Sequence, residues 1–263
     1  MIPRLLIVAG SDSGGGAGIQ ADIKTACAFG VYAMTAITAV TVQNTLGVNG
    51  WQSIDTDVVK GQIDACLSDI GTDALKTGML GDAAVVTAVA DALRGQSAPL
   101  VLDPVMVAKG GAKLLTDEAV TAIRTQLLPL AMVVTPNLPE CEALIGFAPT
   151  TDGQARDAAK KFRALGARHV LFKGGHASGA IVRDILADGE TGELLVLEAP
   201  RLETCHTHGT GCTLASAIAS GLAQKRSLAD AVRRAHAYVQ YAIRTAPGLG
   251  SGHGPLNHFV KPS

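Results

Sequence analysis

At 263 residues, 48% of them hydrophobic and 17% charged, the chain has the material for one sizeable buried core and is short for two domains. Its 22 Lys and Arg balance 23 Asp and Glu, which leaves no electrostatic case for nucleic acid or an anionic membrane surface and points to small-molecule chemistry. Five cysteines (Cys27, Cys66, Cys141, Cys205 and Cys212), odd in number and irregularly spaced, argue against a disulfide framework and fit reduced thiols in a cytosol. The apolar run after Arg4 is too brief to span a membrane and lacks the layout of a signal peptide, so a soluble, cytoplasmic single domain over residues 1–263 is expected.

Leu5 to Ala9 reads as a strand buried on both faces. The loop Gly10-Ser11-Asp12-Ser13-Gly14-Gly15-Gly16-Ala17-Gly18 follows, then a helix from about Ile19 that Gly30 stops. Strand, glycine loop and helix suggest a nucleotide motif, but there is no G-x-x-x-x-G-K-[ST], and the glycines do not fit G-x-G-x-x-G. The small residues are expected to let a flat ligand lie close to the backbone. Met34 to Val42 is the second strand, with Gln43 at its carboxyl end. A Gln amide offers a donor beside an acceptor, the complement of an aminopyrimidine edge, and it is equally an ordinary polar loop residue.

Val58, Val59, Ile63, Leu67 and Ile70 mark a helix ended by Gly71; Ala74 to Leu80 is strand-like; Asp82 caps a helix carrying Val85, Val86, Val89 and Leu93. Leu100 to Leu102 is a buried strand tipped by Asp103, and the glycines and Lys109 of the stretch 105–112 suit a mobile flap over a phosphate site. Thr116 caps a helix through Leu128, Ala131 to Thr135 is a strand, and Asn137 and Glu140 have the spacing of a capping box. That box explains both residues without a ligand. Alternatively, Asp103 and Glu140, on neighbouring strand tips, can hold Mg²⁺ through water. A helix over about 152–165 leads to the strand His169 to Phe172, tipped by Lys173; Ala180 to Leu186 and Glu193 to Leu197 then flank a hairpin signal.

His208-Gly209-Thr210-Gly211-Cys212-Thr213 leads into a helix with Leu214, Ala217, Ile218, Gly221 and Leu222 on one face. Bare amides and the positive end of that helix make an anion site suited to a phosphoryl group in transfer. Cys212, at the same helix start, can have its pKa lowered toward neutrality and take a proton from an attacking hydroxyl, or be a small buried side chain with no part in the chemistry. A last helix, capped by Ser227 and Asp230, turns Leu228, Val232, Ala235, Val239 and Ile243 inward. The alternation of strand and helix predicts an α/β fold, a three-layer α/β/α sandwich with a mostly parallel central sheet, and places Asp103, Asn137, Glu140, Lys173 and Cys212 along one rim.

Seven stretches in order, Ala9 to Asp22, Gln43 to Thr45, Lys76 to Leu80, Leu102 to Lys109, Val134 to Glu140, Lys173 to His176 and His206 to Thr213, closely resemble the hydroxymethylpyrimidine/phosphomethylpyrimidine kinases of thiamine biosynthesis. The resemblance implies a ribokinase-like fold, commonly a homodimer, and phosphorylation of 4-amino-5-hydroxymethyl-2-methylpyrimidine and then of its monophosphate with ATP and Mg²⁺. It implies Gln43 on the pyrimidine with Ala17, Asp22, Met79 and Val105 around it. Asp103 and Glu140 would serve Mg²⁺ and phosphate, Lys173 and Lys109 the nucleotide phosphates, and Gly209, Thr210, Gly211 and Cys212 the anion hole, with Cys212 as base. The flap departs from the family in reading Lys109-Gly110-Gly111 where Lys-Ser-Gly is expected, and His236 stands where Lys is frequent. A pyridoxal kinase on the same scaffold is the nearest alternative. Reading Cys205, His206, His208 and Cys212 as a structural zinc site is the alternative from another class.

Overall fold

The computed structural model describes residues 1–106, 115–176 and 179–262. Among them, nine strands form one sheet: β1 (Arg4–Ser11), β2 (Tyr32–Asn44), β3 (Gly47–Ser53), β4 (Ala74–Thr77), β5 (Leu100–Leu102), β6 (Ala131–Val134), β7 (His169–Phe172), β8 (Ile181–Asp188) and β9 (Leu194–Pro200). Their order across the sheet is β3-β2-β1-β4-β5-β6-β7-β8-β9. The six from β2 through β7 pair in parallel, while β3, β8 and β9 add antiparallel edges.

The central strands are short apolar runs buried on both faces, as parallel strands under two helix layers must be. Leu6 and Val8 of β1 look into one layer with α2 (Thr56–Ala65), α3 (Ala83–Leu93), α4 (Asp117–Ala122), α5 (Leu138–Ile145) and α6 (Asp152–Ala164). Leu5, Ile7 and Ala9 look into the other, built on α1 (Gly18–Ala28), α7 (Thr210–Ala223) and α8 (Leu228–Arg244). The alternation along one strand thus feeds two separate cores and yields the expected three layers.

Helix starts follow their caps. Asp82, Thr116 and Asn137 accept from the amides of Val85, Ala119 and Glu140, and Asn137 and Glu140 complete the capping box. Elsewhere the structure departs from the periodicity. β2 runs on through Gln43 and turns into β3, so Gln43 lies in a hairpin ladder and not at a free strand end. The helix expected to reach Gly71 is α-helical only to Ala65 and finishes as a π-turn over Cys66–Ile70, and the one expected to reach Leu128 changes to π and then 3-10 geometry after Ala122. α7 is buried on every side from Thr213 to Ala223, because α1, α8 and the sheet all pack on it; the single apolar face underestimated its cover. Among the described residues no helix is long and apolar enough to cross a membrane.

Candidate active site

Parallel strands deliver their carboxyl ends to one rim, and the helix starts beyond them carry the polar groups. β5 ends at Asp103, which is buried. The Lys173 ammonium, just past β7, lies 2.8 Å from Asp103 Oδ1 and 3.6 Å from Glu140 Oε2, and Thr135 Oγ1 donates to Asp103 Oδ1 at 3.1 Å. Burial opposes the Lys173 charge, yet Asp103 and Glu140 outweigh it and raise its pKa. Burial likewise raises the Glu140 carboxyl, and Asp103 adds to that while Lys173 opposes it. Asp103 Oδ2 is buried with no hydrogen-bond partner among the described residues. A carboxylate oxygen left unmatched beside a second carboxylate is suited to receive a cation or a donor carried by a ligand.

Opposite this cluster lies the start of α7. Gly209 caps it at φ +82°, and a Cβ there would collide with the Gly16 carbonyl oxygen. A Cβ on Gly211 would stand 3.4 Å from Lys173 Nζ and 3.5 Å from Asp103 Oδ2, so that bare backbone faces the lysine and the carboxylate directly. The amides at the head of α7, Lys173, Asp103 and Glu140 therefore converge as the sequence predicts.

Cys212 does not carry the lowered pKa expected of a thiol at a helix start. Burial pushes it up to about 12, and Asp22 and Asp103 add to the rise against the pull of Lys76 and the Gly18 amide. Desolvation and two carboxylates outweigh the helix dipole, so the resting group is a thiol.

Near Cys212 lies a lysine that was not singled out as chemistry from the sequence. Lys76, on β4, has no exposed side-chain surface and meets Asp22 Oδ2 at 2.8 Å, while Ser216 Oγ donates to Asp22 Oδ1 at 2.6 Å. Burial raises the Asp22 carboxyl and opposes the Lys76 charge, whose pKa is nonetheless raised by Asp22, Cys212 and Asp103. Two donors on the carboxylate oxygens favour reading the pair as ionised. Asp22, assigned to the pyrimidine by resemblance, thus lies fully buried in this network beside Cys212. A lysine inside the apolar strand Ala74-Leu75-Lys76-Thr77 was the available signal.

Met79 packs with Ala39 and Val105, the Met79 carbonyl accepts from Gly10 N and Thr38 Oγ1, and Ala17 stands just before α1 with its amide donated to Asp12. Asp12, buried in the glycine loop, binds the amides of Gly14, Gly16 and Ala17 and pairs with His208 at 2.9 Å. His208 in turn lies 3.3 Å from the Gln43 carboxamide. The loop's glycines therefore serve its own close packing on His208 and Gly209 as well as any ligand. His208 is committed to Asp12 and Cys212 to the buried network; no group of three or more metal-ligating side chains occurs among the described residues, so the zinc reading has no support. His236 Nε2 lies 3.9 Å from Asp184 Oδ2 and is buried without a hydrogen-bond partner among the described residues. Lys109 and most of the 105–112 flap lie outside the described residues.

The chain is similar to known proteins along nearly its whole length. The phosphomethylpyrimidine kinase family matches residues 12–257. The hydroxymethylpyrimidine/phosphomethylpyrimidine kinase of Streptomyces coelicolor is 50% identical over 256 residues, which cover 97% of this chain and 94% of that protein. The thiamine biosynthesis bifunctional protein ThiED of Geobacter sulfurreducens is 49% identical over 97% of this chain, but the chain spans only 52% of that longer protein. Among solved structures, Bacillus subtilis pyridoxal kinase in its ADP complex superposes with a TM-score of 0.89 at 39% identity, covering 98% of both chains. With glycine turn, cysteine, lysine and paired carboxylates where the motifs predict them, and these relatives along nearly its whole length, the chain belongs to the phosphomethylpyrimidine kinase family.

Proposed function

We propose that the protein transfers a phosphoryl group from ATP to the hydroxymethyl group of 4-amino-5-hydroxymethyl-2-methylpyrimidine, then a second to the monophosphate, in thiamine biosynthesis. The observation that carries this reading is the facing of bare α7 amides, Lys173 and Asp103 across one cleft, with Cys212 at the head of the same helix. Phosphoryl transfer has a loose transition state, so alignment and charge stabilisation contribute most of the rate and a weak base suffices. Gln43 contacts the pyrimidine edge, the α7 amides and Lys173 stabilise the phosphate oxygens, and Cys212 takes the hydroxyl proton once its own S–H proton has been given up to solvent. The second transfer starts from an anionic phosphate and needs no base.

The orphaned Asp103 Oδ2 and the nearby Glu140 fit Mg²⁺, a hard cation that takes few protein oxygens and keeps its other positions for water and phosphate. The ion would neutralise charge on the transferring phosphate oxygens. Asp103 and Glu140 would be its donors, and Lys173, 2.8 Å from the first and 3.6 Å from the second, holds them in place. Exposed Val40, Val42, Leu46 and Trp51 on the β2–β3 hairpin support association of two copies as a homodimer, and the reduced cysteines fit a cytoplasmic protein.

The likeness to a pyridoxal kinase favours a second reading, since pyridoxal also carries a ring hydroxymethyl. One experiment tests both. ADP release is followed with the hydroxymethylpyrimidine, its monophosphate and pyridoxal in parallel, and kcat/KM is expected to be highest for the pyrimidines. A higher kcat/KM for pyridoxal would reverse the assignment. Gln43→Ala is expected to raise the pyrimidine KM with little change for ATP; a loss of ATP affinity instead would mean that the two ligands are placed the wrong way round.

A further inference from the structure

One end of the Gln43 carboxamide lies 3.2 Å from Thr41 Oγ1 and the other 3.3 Å from His208 Nε2. The two ends have the same shape, so only the chemistry of their partners assigns oxygen and nitrogen. Asp12 supplies the decisive partner. Burial works against its charge, but the hydrogen bond with His208 and the amides of Ala17 and Gly14 outweigh that cost and hold its pKa below the usual value. It is therefore a carboxylate, which only accepts, and the nitrogen 2.9 Å from its Oδ2 must carry a hydrogen. This holds for the neutral imidazole and for the imidazolium alike.

A ring nitrogen bearing a hydrogen has no lone pair for an NH₂ group, and its one hydrogen, donated chiefly to Asp12 at 2.9 Å, can be shared only with a second acceptor, so the Gln43 atom 3.3 Å away is the oxygen. The other end gives the same answer independently. The single hydroxyl hydrogen of Thr41 is donated to the Ser11 carbonyl at 2.9 Å, which leaves Oγ1 only lone pairs to offer Gln43. That end must be the nitrogen.

We infer that Gln43 turns its carbonyl oxygen to His208 Nε2–H and its amide nitrogen to Thr41 Oγ1, and that His208 is the positioning residue which fixes the donor–acceptor order shown to the substrate ring. This arrangement is reached by a half-turn of the carboxamide that moves no other atom. One N–H and one oxygen lone pair then remain for the ligand in a single fixed order, because reversing the amide would set N–H against N–H at His208 and lone pair against lone pair at Thr41. His208 also immediately precedes Gly209, so one imidazole joins the ring-reading side chain, the glycine loop through Asp12, and the turn proposed to receive the phosphate. The inference rests on the reading of Gln43 as the pyrimidine contact, and it extends that reading to what sets ring selectivity.

The test has two arms. Long-range proton–nitrogen NMR of the ligand-free, full chain should show His208 Nε2 as a protonated nitrogen; an unprotonated Nε2 would overturn the inference, whatever the substrate. In the kinetic arm, His208→Leu removes the donor and His208→Gln keeps one within reach of Asp12. His208→Leu should raise the pyrimidine KM about tenfold, the scale of one hydrogen bond, and leave the ATP KM unchanged. His208→Gln should recover most of that loss. Equal rises in both KM values, or a fall in kcat alone, would reduce His208 to a structural role and overturn the inference. Should the wild type fail to phosphorylate the pyrimidine, the functional reading falls and the NMR arm still decides the amide. Should His208→Leu fail to fold, Thr41→Val removes the partner at the other end and should raise the same KM.

Discussion

Lys76 and Asp22 meet at 2.8 Å with no exposed surface on either side chain, and both act electrostatically on Cys212. Removing two charges from water costs several kcal/mol per ion and is seldom repaid in full by their attraction. A fold seeking stability alone would place apolar residues there. Lys76→Met should therefore destabilise the protein by about 3–5 kcal/mol, because it strands a buried carboxylate. Adding Asp22→Asn should restore much of the loss in urea unfolding while leaving phosphoryl transfer impaired. A double variant that regained both stability and turnover would show that the pair serves packing only.

The thiol at position 212 is pushed up to about 12, so no thiolate awaits the substrate at neutral pH. Cys212 can accept the alcohol proton only after its own proton has left, in a step where the base contributes modestly. Cys212→Ala is expected to slow the first phosphorylation about a hundredfold, at the low end of general-base effects, and to leave the second nearly unchanged. Single-turnover rates measured separately on the alcohol and on its monophosphate check this. Equal losses would make Cys212 a packing residue.

What the sequence made legible was what is local. The caps Asp82, Thr116, Asn137 and Ser227 were readable because a side chain and the amide it caps lie within three residues. The rim positions of Asp103, Lys173 and Cys212 followed from parallel connectivity, which fixes where strand ends must lie. The pairing of His208 with Asp12 joins residues 196 apart, and that of Lys76 with Asp22 joins residues 54 apart; no periodicity encodes either. Gly47, Asn49 and Gly50 break up the strand formers Val48 and Trp51 in the seven residues of β3, so the pairing with β2 makes them a strand. The Cys212 expectation failed because a helix-dipole argument counts only the local backbone, whereas Asp22 and Asp103 arrive from elsewhere in the chain.

Two glycines of the α7 turn should fail differently. Gly209→Ala forces a side chain into φ +82° and against the Gly16 carbonyl, so it should cost about 1–3 kcal/mol from backbone strain, with activity falling as the turn moves. Gly211→Ala meets Lys173 and Asp103 only at ordinary contact distance. That variant should keep its melting temperature and lose turnover, because its methyl group occupies the side from which phosphate oxygens approach. Equal thermal losses in the two variants would contradict the proposed approach of phosphate over Gly211.

His258 is buried behind the same helix, where its Nε2 lies 2.9 Å from Thr213 Oγ1. Burial, with the charge of Lys24 adding to it, lowers its pKa from 6.5 to about 4. In the pH interval between those values the unfolded chain takes up a proton that the folded chain refuses, so acid draws the equilibrium toward unfolding. The contribution is fully present above about pH 6.5 and is lost progressively as pH falls toward 4, to a limit of about 3 kcal/mol. Urea unfolding at a series of pH values, for the wild type and for His258→Gln, isolates this group from the carboxylates common to both proteins. The wild-type free energy should fall more steeply than that of the variant between about pH 6.5 and 4, and the two curves should run parallel above that interval. Parallel curves throughout would mean that His258 protonates as readily in the folded protein as in the unfolded chain, and that the helix carrying Cys212 is not sealed on that side.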